Sequence, residues 1–355
     1  MPLVPMRQIL EEAAKRGYGV GAFNVNNMEQ IQAIVNAAYA CDSPVIIQAS
    51  RGALKYSEMI YLQKLIEAAS LRYPHIKIAM HLDHGNSLET CKQAISLGFT
   101  SVMIDASLEE DGKTIASYEY NVETSRTVAE YAHQHGVTVE AELGALGGIE
   151  DGHGAGMSTE EAEDHLTDPE QAVDFVKSTG CDCLALAIGT SHGAYKTMRY
   201  DENGNPMPPK LALDRIEQIR DRFAAAGHPD FPMVMHGSSS VPAELVEIVN
   251  KYGGKMPKAM GVPLEDIRFG IERGVRKVNV DTDGRIAITG AIRKVLWTDP
   301  TKFDPRDYLK PAREAAQAIV EARMRTFGSA GHNSDYEPMT LEDAKEKWYS
   351  GAAVK

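Results

Sequence analysis

Cysteine is scarce in this chain of 355 residues, which carries only Cys41, Cys91, Cys181 and Cys183. Four scattered thiols cannot build a disulfide framework in a chain this long. Cys181 and Cys183 sit one residue apart beside an apolar stretch, which reads as reduced core rather than a metal site. The first residues, Met1-Pro2-Leu3-Val4-Pro5-Met6-Arg7, lack the charged-then-apolar order of a secretory leader. No apolar run approaches the ~20 residues needed to span a bilayer. The expected compartment is therefore reducing and cytoplasmic. Positive charge is also short, with 37 Lys and Arg against 50 Asp and Glu and a formal net charge of −13. That balance argues against nucleic-acid partners and anionic membranes. It leaves room for a small anionic ligand, which needs one or two local cations and some backbone N–H groups. There is no repeat of fixed period and no low-complexity tract. No Gly-x-Gly-x-x-Gly opens the first helix, which weakens an open dinucleotide-binding sheet.

What remains is an ordinary globular composition, 43% hydrophobic and 25% charged. Strand-like and helix-like stretches alternate along it. Strands are expected at Val20 to Val25, Pro44 to Ala49, Ile76 to Gly85, Ser101 to Asp105, Val137 to Leu143, Cys183 to Ile188, Pro232 to His236 and Val275 to Asp281. Helical apolar spacing follows most of them, as in Met28 to Ala40, Leu88 to Leu97 and Arg285 to Leu296. Eight short apolar runs, each followed by a helix, predict a closed (β/α)8 barrel rather than an open doubly wound sheet. Gly144 to His165 breaks the rhythm after strand five and reads as a mobile loop. Further material lies before strand eight, at about Asn250 to Pro263, and in a helical extension over about 300–355. Neither has the composition of a separate domain, so residues 1–355 are expected to form one catalytic domain.

The chemistry sits at the strand ends. Strand three runs apolar to Met80 and then reads His81-Leu82-Asp83-His84-Gly85. Strand four ends in Asp105, and strand five carries Glu140 and Glu142. Strand six runs into Gly189-Thr190-Ser191-His192-Gly193, strand seven into His236-Gly237-Ser238-Ser239-Ser240, and strand eight into Asn279-Val280-Asp281-Thr282-Asp283. In a closed barrel these ends converge on one mouth. His84, His192 and His236, each followed by Gly, suggest a three-nitrogen divalent site with an open position, for which Zn²⁺ is the common ion. For one histidine alone, a hydrogen-bonded strand end explains as much; three in matching places with carboxylates between them do not arise easily by chance. Gly237, Ser239, Asp281 and Thr282, with Lys196 nearby, suit phosphate binding by loop N–H groups and a helix start. Capping chemistry is the plainer reading of the same Ser and Thr residues.

Together these motifs, with Gly147-Gly148-Ile149-Glu150-Asp151-Gly152, resemble the class II, metal-dependent fructose-bisphosphate aldolases over nearly the whole chain. The segment from Tyr252 to Val262 and Gly274 to Asn279 resembles the type B subgroup. The resemblance implies reversible cleavage of fructose 1,6-bisphosphate to dihydroxyacetone phosphate and glyceraldehyde 3-phosphate, in glycolysis, gluconeogenesis or the Calvin cycle. It implies catalytic Zn²⁺ on His84, His192 and His236. Asp105 and Glu142 would match an alternative or second metal position, taken by another divalent ion or by Na⁺ or K⁺. Asp83 would exchange a proton at the C4 hydroxyl, and Glu150 would take one from C3 of the triose. Asn279 would contact substrate. Gly193, Lys196, Gly237, Ser239, Asp281 and Thr282 would hold one phosphate, with Ser50 at the other. Asp283 and Arg285 would recognise the aldehyde half, part of which a neighbouring subunit can supply. Partners implied are a sugar bisphosphate, triose phosphates and copies of the chain in a homodimer or homotetramer. Two rivals stand beside this reading: an aldolase for tagatose 1,6-bisphosphate, and a zinc-dependent barrel hydrolase. The hydrolase is disfavoured because strand one, Ala22-Phe23-Asn24-Val25-Asn26, has no His-x-His. No strand-end lysine demands a Schiff base, which disfavours a covalent, metal-free aldolase.

Overall fold

In a computed structural model, residues 3–148, 165–192, 199–203, 206–257 and 260–350 are described. Eight parallel strands close into a barrel: β1 (Val20–Asn24), β2 (Val45–Ser50), β3 (Ile78–Gly85), β4 (Ser101–Ile104), β5 (Thr138–Leu143), β6 (Cys183–Leu186), β7 (Met233–Met235) and β8 (Val275–Val280). Closure is direct, with Val20 of β1 in register with Lys277 of β8. The expected (β/α)8 architecture is the one observed. Runs such as Val45 to Ser50 are buried along their whole length, as a sheet covered on both faces requires.

Local sequence sets the helix starts. Asn27 caps α2 (Met28–Cys41), accepting from the Gln30 N–H. Ser87 and Ser117 do the same for α5 (Leu88–Ser96) and α6 (Tyr118–His133), and Asp168 caps α7 (Pro169–Thr179) with Pro at the first position. Between β2 and β3 the structure has two helices, α3 (Arg51–Ser57) and α4 (Met59–Arg72), where the sequence spacing indicates a single helix from Glu58 to Leu71. Glu58 separates them at a positive φ of 54°, a conformation that helical periodicity does not reveal.

The barrel has two different ends. An N-terminal helix α1 (Met6–Arg16), not foreseen from the sequence, plugs the bottom. The Val4 N–H donates to the Ile78 carbonyl at 2.9 Å and the Arg7 N–H to Thr138 Oγ1 at 2.9 Å, both at strand starts. Met6, Ile9 and Leu10 then pack with Ile46, Ala79, Met103 and Val234 in the barrel interior. Burying each of those three side chains contributes about 1.5–3 kcal/mol. Toward the C-terminal ends the interior turns polar, with Gln48, His81, Glu140, His236, Lys277 and Asn279 all buried.

Further long helices among the described residues are α8 (Leu213–Ala225), α9 (Ala243–Lys251), α10 (Leu264–Glu272), α11 (Thr282–Thr298) and α12 (Pro305–Phe327). The last starts on an Asp304-Pro305 cap, ends at Gly328, and packs against α2 and α11. Beyond it the chain returns to the barrel floor, where Tyr349 Oη donates to Asp182 Oδ2 at 3.1 Å. All four cysteines are buried and free. Among the described residues no helix is long and apolar enough to cross a membrane.

Candidate active site

Strand alternation would send Asp83 and His84 to opposite faces. It fails here because the β3–β4 register shifts between Leu82 and Gly85, and His84 adopts a left-handed φ of 51°. Both side chains therefore reach the mouth of the barrel. Gly85 is required beside them, since a Cβ there would lie 2.6 Å from the Met103 carbonyl oxygen. A non-glycine residue held at positive φ costs about 1–3 kcal/mol and persists only where neighbours impose it.

The neighbours are visible. His84 Nδ1 lies 2.9 Å from Asp105 Oδ2, and His236 Nε2 lies 2.7 Å from Glu140 Oε1. A carboxylate oxygen only accepts, so each of these ring nitrogens carries the hydrogen. The opposite nitrogens, His84 Nε2 and His236 Nδ1, then face each other at 3.0 Å. At that separation the two nitrogens either share one hydrogen or hold a cation between them. The edge of a Zn²⁺ tetrahedron built from ~2.0 Å bonds is roughly 3.3 Å, close to what is seen. A carboxylate fixing the far nitrogen is also the usual way to aim a metal-binding imidazole. The ligand atoms of Asp83, His84 and His236 all lie within 4.8 Å of one another, as do those of His84, Asp105 and Glu142. Glu142 Oε2 is buried without a hydrogen-bond partner among the described residues. The donor set fits a divalent cation.

The carboxylates around the site favour positive charge at His84. Burial opposes charge on His84, but Asp83, the Asp105 hydrogen bond and Glu142 outweigh it and push its pKa up to about 10. Burial, followed by the proximity of Asp105, drives Glu142 well above the usual carboxylate range. Burial also opposes the Asp83 carboxylate, yet His84, His236, Lys277 and the Asn24 amide keep it below its ordinary value. Asp83 is thus a buried carboxylate whose surroundings favour its charged form. Its Oδ2 accepts from Asn24 Nδ2 at 2.8 Å and Gln48 Nε2 at 3.2 Å, and its Oδ1 from Asn279 Nδ2 at 3.5 Å.

Beneath this layer lies a lysine that sequence reasoning weighs only as a Schiff-base candidate and sets aside. The Lys277 ammonium is fully buried and touches Glu140 Oε2 at 2.9 Å, Glu140 Oε1 at 3.2 Å and Asn279 Oδ1 at 2.8 Å. With its donors so engaged it has no free lone pair for a Schiff base. By holding Asn279 Oδ1 it turns the amide NH₂ toward Asp83 and toward His236 Nδ1, 3.1 Å away. His81 Nε2 approaches Glu140 Oε2 at 3.5 Å from the other side. Glu140 and Lys277 share strand parity with Glu142 and Asn279, and that was the available signal.

The turn after β7 and the start of α11 form the other half of the mouth. Ser239 Oγ accepts from the Asp281 and Thr282 N–H groups, each at 3.1 Å. Arg285 grips Asp281, with Nε to Oδ1 at 2.7 Å and Nη2 to Oδ2 at 2.7 Å. Gly237 has φ +60° and a Cβ there would meet the Ser191 carbonyl oxygen at 2.6 Å, so the two strand-end loops touch backbone to backbone. Ser50 stands in register with Asp83 and caps α3 through the Ala53 N–H. Asp283 is the exception among the predicted residues. Its carboxylate is fully buried, bound to the Ser240 and Val241 N–H groups and to Arg323. Glu150, Gly193 and Lys196 lie outside the described residues, as does the His192 side chain. The His192 backbone pairs with Gly148 in a short parallel bridge.

The sequence model of the family described as "Fructose-bisphosphate aldolase class-II" matches residues 4–332. Fructose-bisphosphate aldolase from Giardia intestinalis is 53% identical over 351 residues, 98% of this chain and 100% of that protein. Fructose-bisphosphate aldolase from Pseudomonas aeruginosa is 50% identical over 357 residues, 99% of this chain and 98% of that protein. Among solved structures, the YdjI aldolase from Escherichia coli K12 superposes with a TM-score of 0.70 at 25% identity, covering 94% of this chain and 100% of that chain. A barrel mouth that pairs two carboxylate-oriented imidazoles with a dry aspartate agrees with that match, and the chain belongs to the class II fructose-bisphosphate aldolase family.

Proposed function

We propose that this chain is a type B, zinc-dependent enzyme that reversibly cleaves fructose 1,6-bisphosphate to dihydroxyacetone phosphate and glyceraldehyde 3-phosphate. The observation that carries the reading is the buried Asp83 carboxylate beside the converging nitrogens of His84 and His236. His84, His192 and His236 would hold the metal. Asp105 and Glu142 offer it a second position, or a place for another divalent ion, Na⁺ or K⁺. A metal held by those histidines would supply Lewis-acid chemistry at the ketone.

The chain's own residues supply the rest. Asp83 removes the C4 hydroxyl proton. The C4–O bond becomes the aldehyde carbonyl while the C3–C4 electron pair moves into the dihydroxyacetone phosphate half. Glu150 returns a proton to C3, and in the synthetic direction it is the base that takes it. Asn279, held by Lys277, donates toward the reacting oxygens. Gly193, Lys196, Gly237, Ser239, Asp281 and Thr282 bind one phosphate and Ser50 the other. Arg285 serves the aldehyde half, and Asp283 contributes indirectly through the turn it holds. Residues 1–355 act as one catalytic domain, working in the cytoplasm as a homodimer or homotetramer, without nucleic-acid or membrane partners. The test compares cleavage of fructose and tagatose 1,6-bisphosphates, with triose phosphate as the readout. Preference for the fructose substrate is expected; preference for tagatose would reassign the substrate, and hydrolysis without triose would overturn the reading.

A further inference from the structure

We propose that Arg323, on the C-terminal helix α12, is a positioning residue for the phosphate end of the site, acting through Asp283 on the turn at residues 237–241. The proposal rests on the aldolase reading for its substrate, but not for its geometry.

Arg323 places Nε 3.0 Å and Nη2 2.8 Å from Asp283 Oδ2, and its Nη2 also donates to Ser240 Oγ at 2.5 Å. Asp283 in turn accepts from the Val241 N–H at 2.8 Å and the Ser240 N–H at 3.3 Å. Side-chain exposure is 6% for Arg323 and 0% for Asp283. A buried ion pair is poor evidence for stability, because an apolar pair of the same volume often serves as well. An apolar pair could not accept two consecutive backbone N–H groups, and here that is the requirement. Val241 is a β-branched residue at φ +48°, a conformation such residues adopt only when the surroundings impose it. The Asp283 carboxylate imposes it, and Arg323 holds that carboxylate in place.

The strained residue is two positions from Ser239, whose Oγ accepts from the first N–H groups of α11. Asp283 belongs to the first turn of the same helix. The turn, the helix start and α12 are therefore locked by one carboxylate and one guanidinium. The phosphate-binding geometry proposed for Gly237, Ser239, Asp281 and Thr282 depends on that lock. A methionine at 323 would fill the volume and release the turn.

Two measurements on the full-length, metal-loaded protein test this: calorimetric affinity for inorganic phosphate, and the split between KM and kcat for fructose 1,6-bisphosphate. Loss of a buried, charged clamp predicts that Arg323→Met weakens phosphate binding and raises KM by about tenfold or more, with kcat changed far less. Bound zinc should be unchanged. Arg323→Lys should recover only part, because one ammonium cannot replace the paired contacts to Asp283 and Ser240. A folded Arg323→Met that binds phosphate within about twofold of the parent would overturn the proposal, since a lost charged hydrogen bond costs more than that. If Arg323→Met shows no cooperative melt, Arg323→Lys carries the test, and unchanged phosphate affinity there is the contrary result. If the parent cleaves no sugar bisphosphate, the phosphate titration still tests the clamp, and only the aldolase reading fails.

Discussion

Lys277 offers the sharpest test of how the barrel interior organises the mouth. Replacing it with methionine keeps the volume but removes the ammonium that faces both Glu140 oxygens, at 2.9 and 3.2 Å. Both side chains are fully buried, so solvent cannot compensate. Removing one partner of a buried pair typically costs about 3–5 kcal/mol, because the other charge is left uncompensated. Glu140 retains His236 at 2.7 Å, which places the expectation toward the lower end. Removing both charges, as in Lys277→Met/Glu140→Gln, should recover most of the loss, giving a coupling of about 2–3 kcal/mol in a double-mutant cycle. Chemical denaturation gives the stabilities. Metal titration gives a second readout: with the Lys277–Glu140 anchor behind His236 broken, affinity should fall by about 10–100-fold in the single variants. A Lys277→Met protein as stable as the parent, or a double variant no better than the worse single, would refute the reasoning.

Two further outcomes follow from the structure. Asp182, below the barrel, is buried, yet its carboxyl is held under its ordinary value by His133, Arg7 and the Val139 N–H, which together overcome burial. A depressed acid stabilises the fold above its unfolded pKa of about 3.9, and the contribution disappears as pH falls through the lower folded value. Asp182→Asn should cost about 2–3 kcal/mol at neutral pH and flatten the acid limb of a stability-against-pH curve below about pH 4; an unchanged acid limb would contradict this. Gly237→Ala forces a Cβ to 2.6 Å from the Ser191 carbonyl oxygen at a left-handed φ. It should cost about 1–3 kcal/mol and raise KM more than it lowers kcat, and a kinetically silent variant would count against contact between the two strand-end loops.

The architecture was legible because parallel strands buried on both faces read as apolar runs. The mouth was legible because those runs end in His, Asp, Asn and Ser. Asp83 and His84 stood out for their chemistry, but that consecutive residues share one face depends on a register shift and a left-handed backbone, which no side-chain pattern announces. Glu140 was legible as a strand-end carboxylate, but its pairing with Lys277 was not, because the two lie 137 positions apart and meet only across the closed barrel. Helix α1 was missed because its value lies in plugging the barrel floor, and Glu58 divides α3 from α4 through backbone conformation alone. Asp283 was assigned to the aldehyde half by resemblance alone, and its contacts with the Ser240 and Val241 N–H groups were not legible. Its partner Arg323 sits on a helix whose sequence gives no sign of where its one buried guanidinium points.

The central claim is that the histidines at the barrel mouth hold a metal required for carbon–carbon cleavage. The most direct measurement is triose-phosphate formation from fructose 1,6-bisphosphate by the purified protein, after chelation, and after Zn²⁺ is returned. Activity that vanishes with the chelator and comes back with Zn²⁺ is the predicted result. Cleavage indifferent to chelation would contradict the account, since Asp83, His84 and His236 would then have been brought together for something other than metal-assisted cleavage.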